Sequence, residues 1–270
     1  MTLIETEDQI LLRETAVELL QRRAPGVHRG PIEGLWEELV EMGWPEIPTE
    51  FGLPETTIVM EALGAHLAHT PMLQTVLGGS LVEGGIAERG DGYIAAGAFV
   101  AESRSTPVER LDGRDCVRVE LLKLGQPIPD FKIRLDHARI ALAAEMLGAM
   151  GKAFAITLEY LKTRHQFGKP IGSFQALQHR AVDCFVRIEL TRSAVMAAAR
   201  EPSPATASLA KATASESFLH VAKECIQLHG GIGMTAESEV GLFLKRAACA
   251  ARSLGDASFH RRRWAELHGY

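Results

Sequence analysis

The carboxy-terminal half of the sequence repeats apolar residues at spacings of three and four over long stretches. This pattern places one apolar face on a helix, and it predicts amphipathic helices over residues 136–163, 173–200 and 203–230. Shorter helices are expected over residues 235–253 and 256–267. Because only short polar or glycine-bearing breaks separate these helices, we expect neighbouring helices to pack as an antiparallel helical bundle.

Polar residues stand where these helices are expected to begin. Asp136, Ser173, Ser203 and Thr235 each precede a periodic stretch, and their side-chain oxygens could accept a backbone N–H of the first turn. Proline is favoured in a first helical turn, so Pro204 supports Ser203 in particular. We therefore expect these four residues to be N-caps.

The first ninety residues show the same period in shorter segments. Helices are predicted over residues 5–22, 33–42 and 54–69, with a weaker one over 73–81. The second of these stops at Gly43, a residue type that commonly ends helices. An amino-terminal helical domain over residues 1–90 follows.

The segment between the two helical regions, residues 91–134, contains β-like runs separated by polar and glycine- or proline-bearing turns. At about five or six residues per strand, it allows three to five short strands. A self-sufficient β-sandwich takes about 100 residues, so this segment must pack against the helices. The expected fold is mainly α, with domains at residues 1–90, 91–134 and 135–270.

Charge and composition exclude several function classes. Acidic residues outnumber basic ones, 34 to 29, and no broad cationic surface is expected, so nucleic acid is not a predicted partner. The longest apolar stretch, residues 140–156, is interrupted by Glu145 and Lys152 and is too short for a membrane span. Neither the four cysteines nor the ten histidines show metal-ligand spacing. With an acidic start in place of a secretory signal, a cytoplasmic location is expected.

Two polar, glycine-bearing stretches interrupt the carboxy-terminal helices, over residues 163–171 and 227–235. Arg164 at a helix-to-turn junction could pair with a phosphate, because a guanidinium group matches phosphate oxygens. Gly230 and Gly231 would let a flat or charged ligand approach the backbone closely. Each feature alone also has a structural explanation, since Arg164 could cap helix carbonyls and the glycines could form a C-cap.

Together the two stretches resemble the acyl-CoA dehydrogenase family. The family's R-x-x-F-G-x-x-(I/L)-x-x-(F/H)-Q motif reads here from Arg164 to Gln175, and its Q-x-x-G-G-x-G motif from Gln227 to Gly233. Residues 35–44 are also similar to the family's opening helices. The resemblance covers most of the chain outside residues 79–134.

The resemblance implies an FAD flavoprotein that desaturates an acyl-CoA thioester between Cα and Cβ. In the family a glutamate removes the α-proton, a hydride passes to flavin N5, and an electron-transfer flavoprotein accepts the electrons. By resemblance, seven residues would contact an FAD that a neighbouring subunit mainly holds: Arg164, Gln166, Phe167, Gln175, Gln227, Gly230 and Gly231.

The departures from the family concern the catalytic base and the flavin cover. The usual base position is occupied by Gly255, and the alternative position used by branched-chain members is occupied by Ala138. The nearest carboxylates, Asp256 and Asp136, are displaced by one and two residues and are interpreted as helix caps, because such shifts rotate a side chain away on a helix. Residues 91–134 are also too few for the family's flavin-covering middle domain.

With these two departures, the chain resembles the base-lacking subunit of the α₂β₂ acyl-CoA dehydrogenases that act on steroid side chains or ring remnants. The leading hypothesis is a subunit that completes the FAD site of a full-length homologue, with acyl-CoA as substrate and electron-transfer flavoprotein as acceptor. One alternative is a stand-alone enzyme whose base is Asp256 or Asp136. The other is a flavin-free helical scaffold.

Overall fold

The computed structural model describes residues 5–27, 30–83, 85–88 and 92–270. Predicted features at residues 1–4, 28–29, 84 and 89–91 lie outside the described residues, among them the first residue of the segment predicted to be β. Helices dominate the described chain, as the sequence predicts, and a small sheet lies between the two helical regions.

The amino-terminal region contains short helices. Thr6 and Gln9 form a capping box at the start of the first one, in which each side chain bonds the other residue's backbone N–H. The predicted helices over residues 5–22, 33–42 and 54–69 are confirmed with slightly different ends. The five helices are α1 (Glu7–Arg23), α2 (Leu35–Glu41), α3 (Ile47–Glu50), α4 (Leu53–Ala65) and α5 (Met72–Leu77).

The predicted weak helix over residues 73–81 is wrong in its second half. Helix α5 ends before Gly78, which has a left-handed backbone with φ of 81°. Glycine adopts that conformation at little cost. The chain then enters strand β1 (Ser80–Leu81), so sheet structure begins earlier than the sequence predicts.

The further strands of this sheet are β2 (Ile86–Glu88), β3 (Tyr93–Ala95), β4 (Ala98–Glu109) and β5 (Asp115–Pro127). The strand order is β1-β3-β4-β5-β2, with β1 and β3 parallel and the other pairs antiparallel. The prediction of short strands is wrong for β4 and β5, which form a hairpin of 12 and 13 residues. Its apolar cluster is small and centres on Ala87, Val117 and Val119, so the sheet depends on the helices for support.

Helix α6 (Phe131–Thr163) is the central element, because α4, α5 and the next three helices along the chain all pack against it. A two-stranded hairpin, β6 (His165–Gln166) and β7 (Lys169–Pro170), follows it. The remaining elements are α7 (Gln175–Arg200), α8 (Pro204–His229), α9 (Val240–Ala250) and α10 (Ala257–Leu267). By length and composition α6 could cross a membrane, but most of its apolar stretch is buried inside the protein, as in a core helix.

The predicted N-caps have mixed outcomes. The prediction for Ser203 is confirmed, because its hydroxyl accepts the Thr206 N–H in a capping box. The prediction for Asp136 is wrong, since α6 begins at Phe131 and Asp136 lies inside the helix. Ser173 is wrong because it lies in a 3₁₀ turn and donates its hydroxyl to Pro170 O. Thr235 is wrong because α9 begins only at residue 240.

Helices α4 and α6 approach each other at a pair of glycines. A Cβ placed on Gly64 would lie 1.9 Å from the carbonyl oxygen of Glu145, and one on Gly148 would lie 1.8 Å from that of Glu61. No side chain fits at such distances. The two glycines therefore set how closely α4 packs against the central helix.

Candidate functional site

The predicted site residues fall into two groups at opposite ends of α6. The seven predicted cofactor residues lie around its carboxy-terminal end, where Arg164 follows directly. The two base positions lie near its amino-terminal end, where Ala138 is part of the helix and Arg139 contacts the chain beside Gly255. A helix of 33 residues is about 50 Å long, so the groups are far apart within one chain.

The first motif forms the β6–β7 hairpin and presents an exposed aromatic ring. Phe167 and Gly168 form its tip with positive φ angles of 54° and 79°. The Phe167 side chain is 91% exposed and meets Phe174 edge to face at 6.1 Å. Lys169 Nζ lies over the Phe174 ring, 4.3 Å from its centroid, in a cation–π contact. An uncommon backbone conformation at the tip therefore holds an apolar ring in solvent.

The second motif lies beside the first because α8 packs against α6, and a ring contact joins the ends of the two helices. The His229 ring, at the end of α8, stacks on Tyr160 of α6 with ring centroids 4.3 Å apart. The Tyr160 hydroxyl donates to His229 O at 3.4 Å. Since Tyr160 is one helical turn before Arg164, the structure brings the Gly230 turn next to the β6–β7 hairpin.

All seven predicted cofactor residues are exposed to solvent. Gly230 has a φ of 65°, which favours glycine, but Gly231 does not have a positive φ. A Cβ on either glycine would have no protein atom within 4 Å. The packing of this chain therefore does not require glycine at position 231. A guanidinium, amide donors and open backbone together fit the pyrophosphate and flat rings of a dinucleotide.

At the other end of α6, the first base position has no room for a side chain. Gly255 has a φ of 98°. A Cβ there would lie 2.6 Å from Phe259 Cδ1 and 2.9 Å from His260 Nε2. The second base position, Ala138, is completely buried. Neither position carries a carboxylate, and the backbone at Gly255 has a conformation that an ordinary residue rarely adopts.

Three side chains hold the chain around Gly255, two of them from distant parts of the sequence. Leu254 O accepts hydrogen bonds from Arg139 Nε at 3.1 Å and His260 Nε2 at 3.0 Å. Leu254 N donates to both carboxylate oxygens of Glu83 at 3.0 Å. Burial, with the charge of Arg139 next in weight, lowers the pKa of His260 to about 4, so His260 is neutral and donates from Nε2.

A buried lysine also holds this loop. Lys211 Nζ donates to Gly255 O at 3.2 Å, Ala250 O at 3.1 Å and Ser215 Oγ at 2.9 Å. Its side chain is fully buried, and burial lowers the pKa of Lys211 to about 8. Sequence patterns do not reveal this role, because the two backbone carbonyls that Lys211 binds lie about forty positions away.

The two displaced carboxylates are both engaged. Asp136 Oδ1 accepts from Arg139 Nη1 at 2.7 Å, and Arg263 bonds both carboxylate oxygens at 2.6 and 2.8 Å. Burial alone would raise the pKa of Asp136, but the hydrogen bonds from the two arginines outweigh it and lower that pKa. Asp256 caps α10 by accepting the Phe259 N–H at 2.7 Å, as predicted.

A buried ionic cluster, which we define as Glu88, Asp112, Arg114, Glu145 and Arg246, was not predicted. Arg114 pairs with Glu88 and, at 2.6 Å, with Glu145, which also pairs with Arg246. Arg246 Nε lies 3.6 Å from Asp112 Oδ2. The cluster fastens the turn of the β4–β5 hairpin to α6 and α9. Within the described ranges, no group of three or more His, Cys, Asp or Glu residues could hold a metal ion.

Comparison with known proteins identifies similar sequences along nearly the whole chain. Residues 129–267 match the family described as "Acyl-CoA dehydrogenase, C-terminal domain". The acyl-CoA dehydrogenase IpdE2 of Mycobacterium tuberculosis is 35% identical, over 92% of this chain and 93% of that protein. The protein of the same name in Mycolicibacterium smegmatis is 33% identical, over 93% of this chain and 95% of its own length.

Solved structures share the fold at lower identity. The ChsE4-ChsE5 complex from Mycobacterium tuberculosis superposes with a TM-score of 0.82 at 20% identity, covering 100% of both chains. A variant of the Tcur3481-Tcur3483 steroid ACAD gives 0.81 at 22%, over 97% of this chain and 98% of that one. Butyryl-CoA dehydrogenase from Megasphaera elsdenii gives 0.83 at 17%, over 99% and 100%.

Proposed function

Because the chain belongs to the acyl-CoA dehydrogenase family, we propose that it is the base-lacking subunit of a heteromeric, FAD-dependent member. In this proposal it completes the FAD site of a full-length homologue in the cytoplasm. The assembly desaturates an acyl-CoA between Cα and Cβ, and an electron-transfer flavoprotein accepts the electrons.

The separation of the two site groups by α6 carries this proposal. About 38 Å of helix, the 25 residues from Arg139 to Arg164, lies between the loop at Gly255 and the exposed cofactor residues. A single flavin next to this chain's own base position could not also touch Arg164 or Phe167. The exposed group is therefore available to a cofactor that another chain holds.

The chain's own residues suggest a division of labour in that shared site. The Arg164 guanidinium would bind the pyrophosphate, and the Gln166, Gln175 and Gln227 amides would donate to it or to the adenosine side. Phe167 would pack against the cofactor, while Gly230 and Gly231 would let it approach the backbone. FAD supplies the hydride acceptor when bound, and the partner supplies both the base and the cover that excludes water.

A stand-alone enzyme with a displaced base is less well supported. The Asp136 carboxylate is ion-paired with two arginines, which lower its pKa and make it a weak base. Asp256 caps a helix, so neither residue is placed to remove a proton. The substrate class is a further proposal. Two of the structures that share the fold are named as two-component assemblies, one of them a steroid ACAD, which favours a steroid-derived acyl group.

The test is to co-purify the chain with a full-length acyl-CoA dehydrogenase homologue from the same genome and to measure bound flavin per complex. We expect Arg164→Ala to lower flavin content at least tenfold without dissociating the complex. The control Arg262→Ala, an exposed arginine on α10, should leave it unchanged. A complex that retains its flavin with Arg164→Ala would refute the cofactor role, and a flavin-free wild-type complex would favour the scaffold.

A further inference from the structure

A cavity lies away from both groups of predicted site residues. It has a volume of about 370 Å³ and lies between α2, α4, α5 and the turn of the β4–β5 hairpin. None of the seven cofactor residues and neither base position lines it. Apolar side chains form much of its wall, including Trp36, Met60, Leu63, Met72 and Leu73. This volume is in the range of small-molecule sites in proteins.

At its inner end the cavity has an unsatisfied polar group. His69 lines the cavity, and both of its ring nitrogens are buried without a hydrogen-bond partner among the described residues. Burial, followed by the charges of Arg246 and Arg114, lowers the pKa of His69 to about 3. The ring is therefore neutral, with one donor and one acceptor nitrogen. Unmet buried groups of this kind are uncommon in native proteins and point to a missing partner.

The charges around the cavity restrict what that partner can be. Inside, Arg114 is paired with Glu88 and Glu145, so it offers no free charge to a ligand. Among the described residues that line the cavity, the exposed Glu33 and Glu37 are acidic, and no exposed basic residue is present. Anions such as free carboxylates or coenzyme A phosphates are repelled by such a rim, while uncharged molecules are not.

We propose that this cavity binds an uncharged, largely apolar molecule that carries one hydroxyl or keto oxygen. The oxygen bonds the neutral His69 ring, and the hydrocarbon part packs against Trp36, Met60 and Leu63. This site is independent of the proposed flavin site, since it uses different residues and needs no partner chain.

Titration of the purified chain tests the proposal, with the fluorescence of Trp36 as the signal. The probe is the two-ring ketone 1-decalone. Decalin, which lacks the oxygen, and decalin carboxylate, which carries a charge, are the comparisons. We expect saturable binding of the ketone, about fivefold weaker binding of decalin for the lost hydrogen bond, and carboxylate binding at least tenfold weaker than the ketone. Equal affinity for all three probes, or no saturable change with the ketone, would overturn the proposal.

Variants locate the binding. His69→Phe keeps a ring but removes both nitrogens, so it should lower ketone affinity to that of decalin without lowering the melting temperature. His268→Phe, an exposed histidine outside the cavity, should change nothing. Leu63→Trp should fill the cavity and abolish both affinities, and Trp36→Phe should remove the signal. Unchanged ketone preference in His69→Phe would refute the role of the ring, and unchanged binding in a folded Leu63→Trp would refute the cavity.

Discussion

At the scale of single residues, the loop at Gly255, the predicted base position, has little space for a side chain. A glutamate there needs a positive φ and places its Cβ within 3 Å of Phe259 and His260. We expect Gly255→Glu to lower the free energy of unfolding by about 2–4 kcal/mol and to give no acyl-CoA dehydrogenase activity. Urea unfolding and an activity assay check this.

Gly269 provides the matched control for that substitution. It also has a positive φ, 80°, but a Cβ there would have no atom within 4 Å. Gly269→Glu should therefore cost less than Gly255→Glu, the difference being the clash. A Gly255→Glu protein as stable as the wild type would show that the loop can accept the family's base.

Lys211 makes stability depend on pH. Its pKa is about 8 in the folded protein and 10.5 for an ordinary lysine. Between these values the unfolded chain binds a proton that the folded one does not, so stability rises with pH in that window. Relative to Lys211→Met, the wild type should gain up to about 3 kcal/mol from pH 8 to 10.5.

Urea unfolding at a series of pH values measures that difference. Effects of other titrating groups cancel when the wild type and Lys211→Met are compared. Lys132→Met, at an exposed lysine near the start of α6, should show no difference that changes with pH. A flat difference for Lys211→Met as well would mean that this lysine is not desolvated.

The buried ionic cluster should be costly to break from one side. In Glu145→Ala, Arg246 and Arg114 lose their shared carboxylate while remaining buried. Removing one partner of a buried pair typically costs about 3–5 kcal/mol. We expect that loss in urea unfolding, against less than about 0.5 kcal/mol for Glu159→Ala, whose pair with Lys162 is exposed. Equal losses of unfolding free energy in the two variants would contradict the role of Glu145 as a buried partner of both arginines.

At the scale of elements, the contact between α4 and α6 depends on its two glycines. Gly148→Ala places a Cβ 1.8 Å from Glu61 O, so the helices must separate, and we expect a loss of at least about 3 kcal/mol. Gly151→Ala lies on the same helix with open space around it. It should be neutral or stabilise by up to about 1 kcal/mol through helix propensity. Thermal unfolding of the two variants decides the matter, and similar melting temperatures would contradict the packing.

Elements with local signals could be predicted from the sequence. The N-cap at Ser203 and the long amphipathic periods are both patterns within a few neighbouring residues, and both predictions are confirmed. The β4–β5 hairpin was missed in its length, because most of its residues are exposed on both faces and so show no alternating pattern. The start of α6 was placed too late because Asp136 has the residue type of a cap, whereas its actual partner, Arg263, lies 127 positions away.

The same limit applies to the candidate site. The two motifs resemble those of a known family, so Arg164 and Gly230 could be singled out by residue. Their proximity follows from the packing of α8 against α6, which includes the stacking of Tyr160 on His229. The loop at Gly255 depends on Glu83, Arg139 and Lys211 from distant segments. Contacts of that range leave no short pattern in a sequence.

At the scale of the whole molecule, α6 separates the exposed residues of the two motifs from the loop at Gly255. In our proposal these exposed residues bind a cofactor only together with a second chain, because they face solvent on this one. The arrangement is consistent with an assembly in which two related chains divide one reaction.

The most direct test compares acyl-CoA desaturation by this chain alone in excess FAD, by a full-length homologue alone, and by the two together. Reduction of an artificial electron acceptor with a panel of acyl-CoA substrates, including steroid-derived ones, is the measurement. We predict activity only when both chains are present. Oxidation of any acyl-CoA by the isolated chain, or equal activity of the homologue without it, would contradict the account.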